Sequence, residues 1–516
     1  MPNHNVSSRR TFLKTVAAGA AASMLPFLKC APMQRPNILF AIADDWSWPH
    51  AGITGEPEIQ TPTFDRIANE GVLFNNCYCS APSCTPSRGA ILTGQYHWRL
   101  EQGGDLWSLL PKKYQVYPDV LESHGYSVGY TGKGWGPGSV EDAGRKRNPA
   151  GPAFNEQKTQ TPEGMVNIDY AANFKSFLEQ RPKEHPFCFW FGCFEPHRVY
   201  KKGIGIEQGK NPQNVRVPAC FPDSDVVRSD MLDYFVEVEH FDSHLGQMLE
   251  MLKEQGELEN TLVVMTSDNG MPFPRCKANL YDKGTRMPLA IRWGNHIKAG
   301  KTVEDFVSQT DLAPTFLEAA GVSPLDDMTG TSLMPLLKAG KSSDANANRD
   351  AVFTGRERHA WVREGGLGYP CRAIRTHQYL YIRNFKPERW PAGDPDNWQD
   401  NNPAVPYGDV DASPTKTFIM EHPSLTIGVP DDLKEFVDSP PTFYELSFGK
   451  RPAEELYDLE KDPDQLINVA EHPDYQSTKN ELWNRLEEKL QATNDPRILG
   501  QGDIFDDYKY YGRAGN

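Results

Sequence analysis

The sequence predicts an α/β protein in which a mixed, mostly parallel sheet is flanked by helices and a smaller α+β domain follows. Two observations carry this. Through the first two thirds of the chain, short and almost continuous apolar runs alternate with helical segments, as in parallel sheets covered on both faces. Beyond about residue 350 the texture turns to alternating strand-like segments and Pro-, Asp- and Trp-rich loop, which reads as an antiparallel sheet.

Taken in order, "SSRRTFLK" pairs Arg9 with Arg10 ahead of the small, apolar run "TVAAGAAASMLPFL". This reads as a twin-arginine export signal, too short for a comfortable membrane span. The expected location is the periplasm or another exported compartment. Cys30 offers a lipid-attachment point, which Lys29 before it fits poorly, and the cleavage point stays open. The expected division is a signal segment at 1–32, a catalytic α/β domain at 33–350 and a C-terminal α+β domain at 351–516.

"PNILFAIADDW" is a strand that ends on two acids. "TPTFDRIANE" is an amphipathic helix with Phe64, Ile67 and Ala68 on one face, and "GVLFNNCYCS" is strand-like. "YPDVLESHGYSVGYTGK" repeats the order of helix, glycine and strand. "PFCFWFGCFEPH" is a buried strand bounded by prolines, residues 228–256 form a long helix, and "NTLVVMTSDNG" is another buried strand. "DLAPTFLEAAG" is a helix with a glycine stop. In the second domain, "YPCRAIRTHQYLYIRNF" alternates like one half-exposed antiparallel strand, and 386–416 reads as a long ordered loop. "ELYDLEKDPDQ" is a strand and turn, and 475–492 is a polar-faced helix. Tryptophans and arginines within 356–398 fit a glycan-facing rim and a packed loop equally well.

The 516 residues carry 54 Lys and Arg against 69 Asp and Glu, a formal charge of −15. This balance argues against nucleic acid as a partner, because phosphate binding needs a basic face. An anionic substrate would have to meet cations gathered locally, against the sign of the whole-molecule field. The nine cysteines match no zinc spacing, and Cys77 and Cys79 lie too close for an easy bridge, so no disulfide is assigned.

Ligands of open α/β sheets gather beyond the carboxyl ends of the strands, where "DDW", "EPHR" and "SDNG" all fall. Asp44, Asp45, Asp268 and Asn269 are four oxygen donors, a set suited to a hard cation, calcium before magnesium. Either acidic pair alone reads as a solvated turn or helix cap. Lys133 in the glycine-rich "TGKGWGPG", His197 and Arg198 after Pro196, and Lys277 after "DNGMPFPRC" are cations at strand ends, as a sulfate or phosphate group would need. Taken singly, each reads as an ordinary solvated side chain. "CTPSR", Cys84 to Arg88, reads alone either as a cysteine in a turn or as a cysteine that is a substrate for modification.

Together these motifs resemble the type I sulfatases of the alkaline-phosphatase superfamily, from about residue 36 to 490. "CTPSR" is similar to the signature whose cysteine is oxidised to formylglycine, "ADD" and "SDNG" to the family's calcium ligands, and "TGKG" to the start of its second signature. "TSDNGMPFP", "NLY", "PHR", "YPCR" and the stretch from "NFK" to "SPT" draw the likeness toward the N-sulfoglucosamine sulfohydrolase branch. The resemblance implies an alkaline-phosphatase-like fold and removal of sulfate from a sulfated sugar or oligosaccharide, with a formylglycine-generating enzyme as partner. It makes Cys84 the nucleophile and a Ca2+ ligand beside Asp44, Asp45, Asp268 and Asn269. Arg88 then holds the formylglycine and metal site, Lys133 and Lys277 bind sulfate oxygens, and His197 is the general acid. His359 and Arg372 become candidate substrate contacts. One position departs from the pattern: the histidine expected two residues after Lys133 is Trp135, for which His97 or His50 are the candidate substitutes. An exo O-sulfatase on an algal or host polysaccharide, a phosphonate or phosphodiester hydrolase, and a non-catalytic glycan-binding relative are the alternatives.

Overall fold

The computed structural model describes Met1 and residues 35–339, 349–395 and 406–512. The chain divides into a unit of residues 1–35 and a unit of residues 36–516, and every element below lies in the second. The expected export signal, Cys30 and Trp398 lie outside the described residues.

Strands β1 (Asn37–Ala43), β2 (Val72–Tyr78), β3 (Ser127–Gly132), β4 (Phe187–Gly192), β5 (Thr261–Ser267), β6 (Arg286–Arg292), β7 (Lys301–Val303) and β8 (Val307–Ser308) form one eight-stranded sheet. Its order is β3-β4-β1-β5-β6-β2-β7, with β8 also on β2. β3, β4, β1 and β5 are parallel neighbours, and only β6 runs antiparallel to both β5 and β2. β1 shows why its run is continuously apolar. Leu39, Ala41 and Ala43 join one core and Ile38, Phe40 and Ile42 the other, so successive side chains enter opposite layers. Each fully buried large side chain contributes roughly 1.5–3 kcal/mol relative to exposure.

The helices include α1 (Pro62–Glu70), α2 (Cys84–Thr93), α3 (Tyr117–Ser123), α4 (Tyr170–Gln180), the short α5 (Ile204–Glu207) and α6 (Asp225–Glu254), with Leu312–Ala319 after the sheet. α1 buries Phe64, Ile67 and Ala68, the face its periodicity predicts. α6 begins slightly earlier than its apolar pattern does, because the Ser224 hydroxyl accepts from the Val227 amide at 3.4 Å and caps it.

A second sheet is antiparallel, in the order β12-β11-β10-β9, from β9 (Ala351–Arg356), β10 (Cys371–Thr376), β11 (Tyr379–Asn384) and β12 (Glu454–Asp458). The segment read as one half-exposed strand is a two-strand hairpin with most of its residues buried. Both its faces are covered: Ile374 and Tyr381 share a core with Leu482 and Leu486 of the helix Gln476–Ala492, while Ala373, Leu380 and Ile382 pack with Leu280 and Tyr457. In the 386–416 region, residues 386–395 and 406–413 contain no helix or strand, and the helix Pro414–Glu421 follows. The chain leaving β9 returns to the first sheet. The Gly355 amide donates to the Ser80 carbonyl at 3.0 Å, and the buried Arg358 guanidinium meets Asp105 at 3.2 Å.

Candidate active site

Four parallel strands end level with one another, since Gly132 pairs with Gly192, Ile42 with Gly192 and Ala43 with Ser267. The residues that follow them are therefore neighbours: Lys133 after β3, Glu195 and His197 after β4, Asp44 and Asp45 after β1, and Asp268 and Asn269 after β5. Gly132 makes the exit of β3 possible. Its φ is +75°, and a Cβ there would lie 1.9 Å from the Gly192 carbonyl oxygen.

α2 brings Cys84 to the same edge. All ten of its residues are buried, and Cys84 is its first, at the positive end of the helix dipole. Ser83 does not cap the helix, because its hydroxyl is hydrogen-bonded to His359 Nδ1 at 2.8 Å. The Cys84 thiol donates to Asp44 Oδ1 at 3.3 Å. Burial pushes this thiol well above its ordinary pKa, and the Asp44 charge adds to the effect. Burial and a neighbouring carboxylate thus disfavour the thiolate, the nucleophilic form of a cysteine.

Arg88, one turn further along α2, donates from Nε to Asp268 Oδ2 at 2.7 Å and from Nη1 to the carbonyls of Lys133 and Gly134 at 2.7 and 3.0 Å. Asp268 Oδ1 accepts from the amides of Asp45 at 3.1 Å and Asn269 at 2.8 Å. Asp45 adopts φ +79°, rare for a residue with a Cβ, so the tight turn after β1 is held from β5. Lys133 Nζ lies 2.5 Å from Asp44 Oδ2, and Lys277 Nζ lies 2.7 Å from Asp45 Oδ2 and 3.6 Å from Asp411 Oδ2.

Burial alone would raise the Asp44 pKa, but the charges of Lys133 and Arg88 outweigh it and hold the carboxyl well below the usual range. Burial and the nearby Asp44 push Asp268 up to about 6. Burial works against the Lys277 ammonium, yet Asp411 and Asp45 keep it charged. Asp411 is drawn down to about 2: burial opposes this, and Lys277 and His197 drive it. His197 Nδ1 is 2.6 Å from the Arg198 carbonyl, so Nδ1 carries a hydrogen and Nε2 is the atom that can exchange a proton. Arg198 is itself fixed by two bonds to Asp230, at 2.7 and 2.8 Å.

Asp44, Cys84, Lys133, His197 and Lys277 all line one cavity of about 620 Å³, as do His359 and Asp411. The donor set suits a hard cation. Ligand atoms of Asp44, Asp45 and Cys84 lie within 4.8 Å of one another. Asn269 turns its Nδ2 to Asp45 Oδ1 at 2.7 Å and to the Gly270 carbonyl at 3.1 Å, leaving its buried Oδ1 without a hydrogen-bond donor. Oxygen atoms dominate the set, and the orphaned amide oxygen is one that a cation would satisfy.

Three expectations need correction. Arg372 is fully buried away from the cavity lining. Its guanidinium is spent on Asp495 Oδ2 at 2.5 Å, Glu357 Oε1 at 2.7 Å and two carbonyls, so it braces the second sheet and has no donor for substrate. His97 and His50 do not line the cavity, so neither replaces the histidine expected at Trp135. His97 is hydrogen-bonded to Ser80 at 2.9 Å, with burial and Arg372 driving its pKa well down. His50 sits beside Glu56 at 3.5 Å against Tyr234 and Phe235. Trp135 itself lines the cavity. In the 356–398 stretch, where a rim and a packed loop fit the sequence equally well, Trp361 packs against Tyr510 and Trp390 lies under Lys450, and neither lines the cavity.

Asp411, Glu195 and Trp107 line the cavity without having been singled out from sequence. Asp411 lies in an irregular loop with no strand end or motif to mark it. Glu195 stands in "EPHR", where its cationic neighbours carry the anion-binding signal, and Trp107 sits outside every motif.

Comparison with known proteins adds independent findings. The sulfatase family model matches residues 36–322, and the model for the C-terminal part of N-sulphoglucosamine sulphohydrolase matches residues 276–399. An ulvan-active sulfatase of Formosa agariphila is 26% identical over 522 residues, covering 91% of this chain and 77% of that protein. The N-sulphoglucosamine sulphohydrolase of Homo sapiens is 26% identical over 532 residues, covering 95% and 96%. A structure solved in complex with its substrate D-glucosamine-2-N,6-O-disulfate superimposes with a TM-score of 0.63 at 22% identity, covering 89% of this chain and 98% of that one.

Proposed function

The chain belongs to the sulfatase family, within the alkaline-phosphatase-like superfamily, and from that premise we propose that it releases sulfate from a sulfated carbohydrate using a formylglycine derived from Cys84 and a calcium ion. One observation carries the reading: Cys84, Asp44, Lys133, Lys277 and His197 converge on one cavity from five separate segments, with Asp45 paired to Lys277 and Asp268 to Arg88 directly behind them.

Hydrated formylglycine supplies an attacking hydroxyl and a second hydroxyl through which sulfate is later expelled, which a thiol or serine lacks. Calcium, held by Asp44, Asp45, Asp268, Asn269 and residue 84, supplies Lewis acidity and a template. Around them, Lys133 and Lys277 meet the sulfate oxygens where negative charge accumulates in the transition state. His197 Nε2 gives its proton to the departing oxygen or nitrogen. Arg88 keeps Asp268 and the Lys133 loop in register. Trp135 has only an N–H donor and cannot accept a proton, so the second half-reaction draws on another cavity group.

The favoured substrate class is N-sulfated glucosamine, supported by the sulfohydrolase C-terminal match and the relative that spans almost the whole chain. An O-sulfated polysaccharide unit is the second reading, supported by the ulvan-active relative of equal identity. The paired Arg9 and Arg10 support export as the setting.

The deciding experiment measures sulfate release from N-sulfoglucosamine, from O-sulfated monosaccharides and from sulfated oligosaccharides, using protein coexpressed with a formylglycine-generating enzyme. Release from the N-sulfated sugar establishes the first reading, and release from O-sulfated units alone shifts the substrate. Phosphodiester hydrolysis that outruns all sulfate release moves the activity to phosphoryl chemistry. Glycan binding with no hydrolysis of any kind makes the chain a binding protein.

A further inference from the structure

Trp107 stands out at the mouth of the cavity. Its neighbours Gly104, Asp105, Leu106, Ser108, Leu109 and Leu110 are all buried, yet Trp107 is 37% exposed and lines the cavity. Its backbone has φ +53°, an outlier for a bulky side chain. The surroundings enforce this conformation. Asp105 accepts from the Arg358 amide at 3.1 Å and from its guanidinium at 3.2 Å, while the Leu106 amide donates to the Arg358 carbonyl at 3.0 Å. On the other side, Ser139 donates its amide to the Ser108 carbonyl at 2.8 Å, and Tyr511 donates its amide to the carbonyl of Trp107 itself at 2.6 Å. Among the described residues the indole stacks on no other ring and makes no hydrogen bond. Core packing therefore does not account for a strained backbone that turns an indole toward solvent, and strain of this kind is retained where a site needs a side chain aimed.

We propose that Trp107 is a sugar-binding platform, its indole face covering the apolar C–H face of a pyranose ring of the substrate. The inference rests on the sulfated-carbohydrate reading. The cations that bind sulfate give no preference for a sugar over any other sulfate ester, and Trp107 supplies that preference. Its face offers a large apolar area with a negative quadrupole, matched to polarised C–H groups. The site thus has an anion-binding end, at Lys133 and Lys277, and a ring-binding lip.

The test compares wild type with Trp107→Ala, Trp107→Phe and Trp107→Gly, all carrying formylglycine. It uses the sulfated sugar that wild type hydrolyses, with inorganic sulfate as a competitor that has no ring. The expected result is a KM about tenfold higher for Trp107→Ala, with kcat and the inhibition constant of sulfate changing far less. Trp107→Phe recovers most of the affinity. Trp107→Gly relieves the positive φ, so it melts above Trp107→Ala while sharing its weakened KM. An unchanged KM in Trp107→Ala overturns the platform, as does a sulfate inhibition constant that rises in parallel with KM. A wild type active on no sulfated sugar overturns the functional reading and the platform with it; activity on sugars with an indifferent Trp107→Ala removes the platform alone.

Discussion

Arg88 reaches from the buried helix α2 to Asp268 at the end of β5, Nε to Oδ2 at 2.7 Å, with both side chains sealed from solvent. The same guanidinium holds the carbonyls of Lys133 and Gly134, so one side chain ties the segment of Cys84 to two strand ends. Removing it strands a buried carboxylate. Arg88→Ala is expected to lose about 3–5 kcal/mol of stability in urea unfolding, and Arg88→Lys to recover only part of it, since an ammonium cannot reproduce the fork.

Cys84 makes one weak hydrogen bond, to Asp44, and fills little volume. Cys84→Ala should therefore leave the melting temperature within a few degrees of wild type while sulfate release falls to background. Mass spectrometry of the peptide containing residue 84 supplies the chemical check. Active protein carrying an unmodified thiol there contradicts the formylglycine assignment.

Asn269 Oδ1 is buried without a hydrogen-bond partner, and the proposed calcium would satisfy it. Calcium is expected to raise the melting temperature of wild type, and exhaustive chelation to lower both that temperature and activity. Asn269→Ala should show a much smaller calcium-dependent shift. A full shift in this variant places the cation elsewhere.

Lys133 and Lys277 each pair with a carboxylate after β1, and each is proposed to meet a sulfate oxygen. Replacing either with alanine is expected to lower kcat by about 10²–10³, the range for losing one donor to developing negative charge. A change confined to KM would make them ground-state binding groups.

Glu237 on α6 is buried with neither carboxylate oxygen hydrogen-bonded, and burial, then the charges of Glu195 and Asp233, push its pKa up to about 9. Below the unfolded value near 4.5 both states hold the proton. As pH rises from there toward 9, the unfolded chain ionises first, so the folded state loses stability at up to about 1.4 kcal/mol per pH unit. Glu237→Gln removes that loss, and its advantage over wild type in urea unfolding should grow from pH 5 to pH 8. Parallel pH curves for the two proteins contradict it.

Much of this protein is written locally. The six consecutive apolar residues of β1 end at Asp44, the three-to-four spacing of α1 puts Phe64 and Ile67 inward, and "CTPSR" and "SDNG" mark themselves by residue type, because strand burial, helix periodicity and donor type are properties of a few adjacent residues. Other features are decided by residues far apart in the chain. Arg372 carries the charge of a substrate contact, yet Glu357 and Asp495 consume it, and no nearby residue announces Asp495. His97 and His50 have the right side chain in the wrong place. Trp107 enters the cavity where the loop leaving β9 docks Arg358 on Asp105, and Asp411 where its neighbour Asp409 accepts from the Ala360 amide at 3.0 Å. The sequence alone thus determined most of the elements and the sulfatase signatures. The tertiary structure decided which charges face substrate, because that depends on which buried partner has already claimed each one.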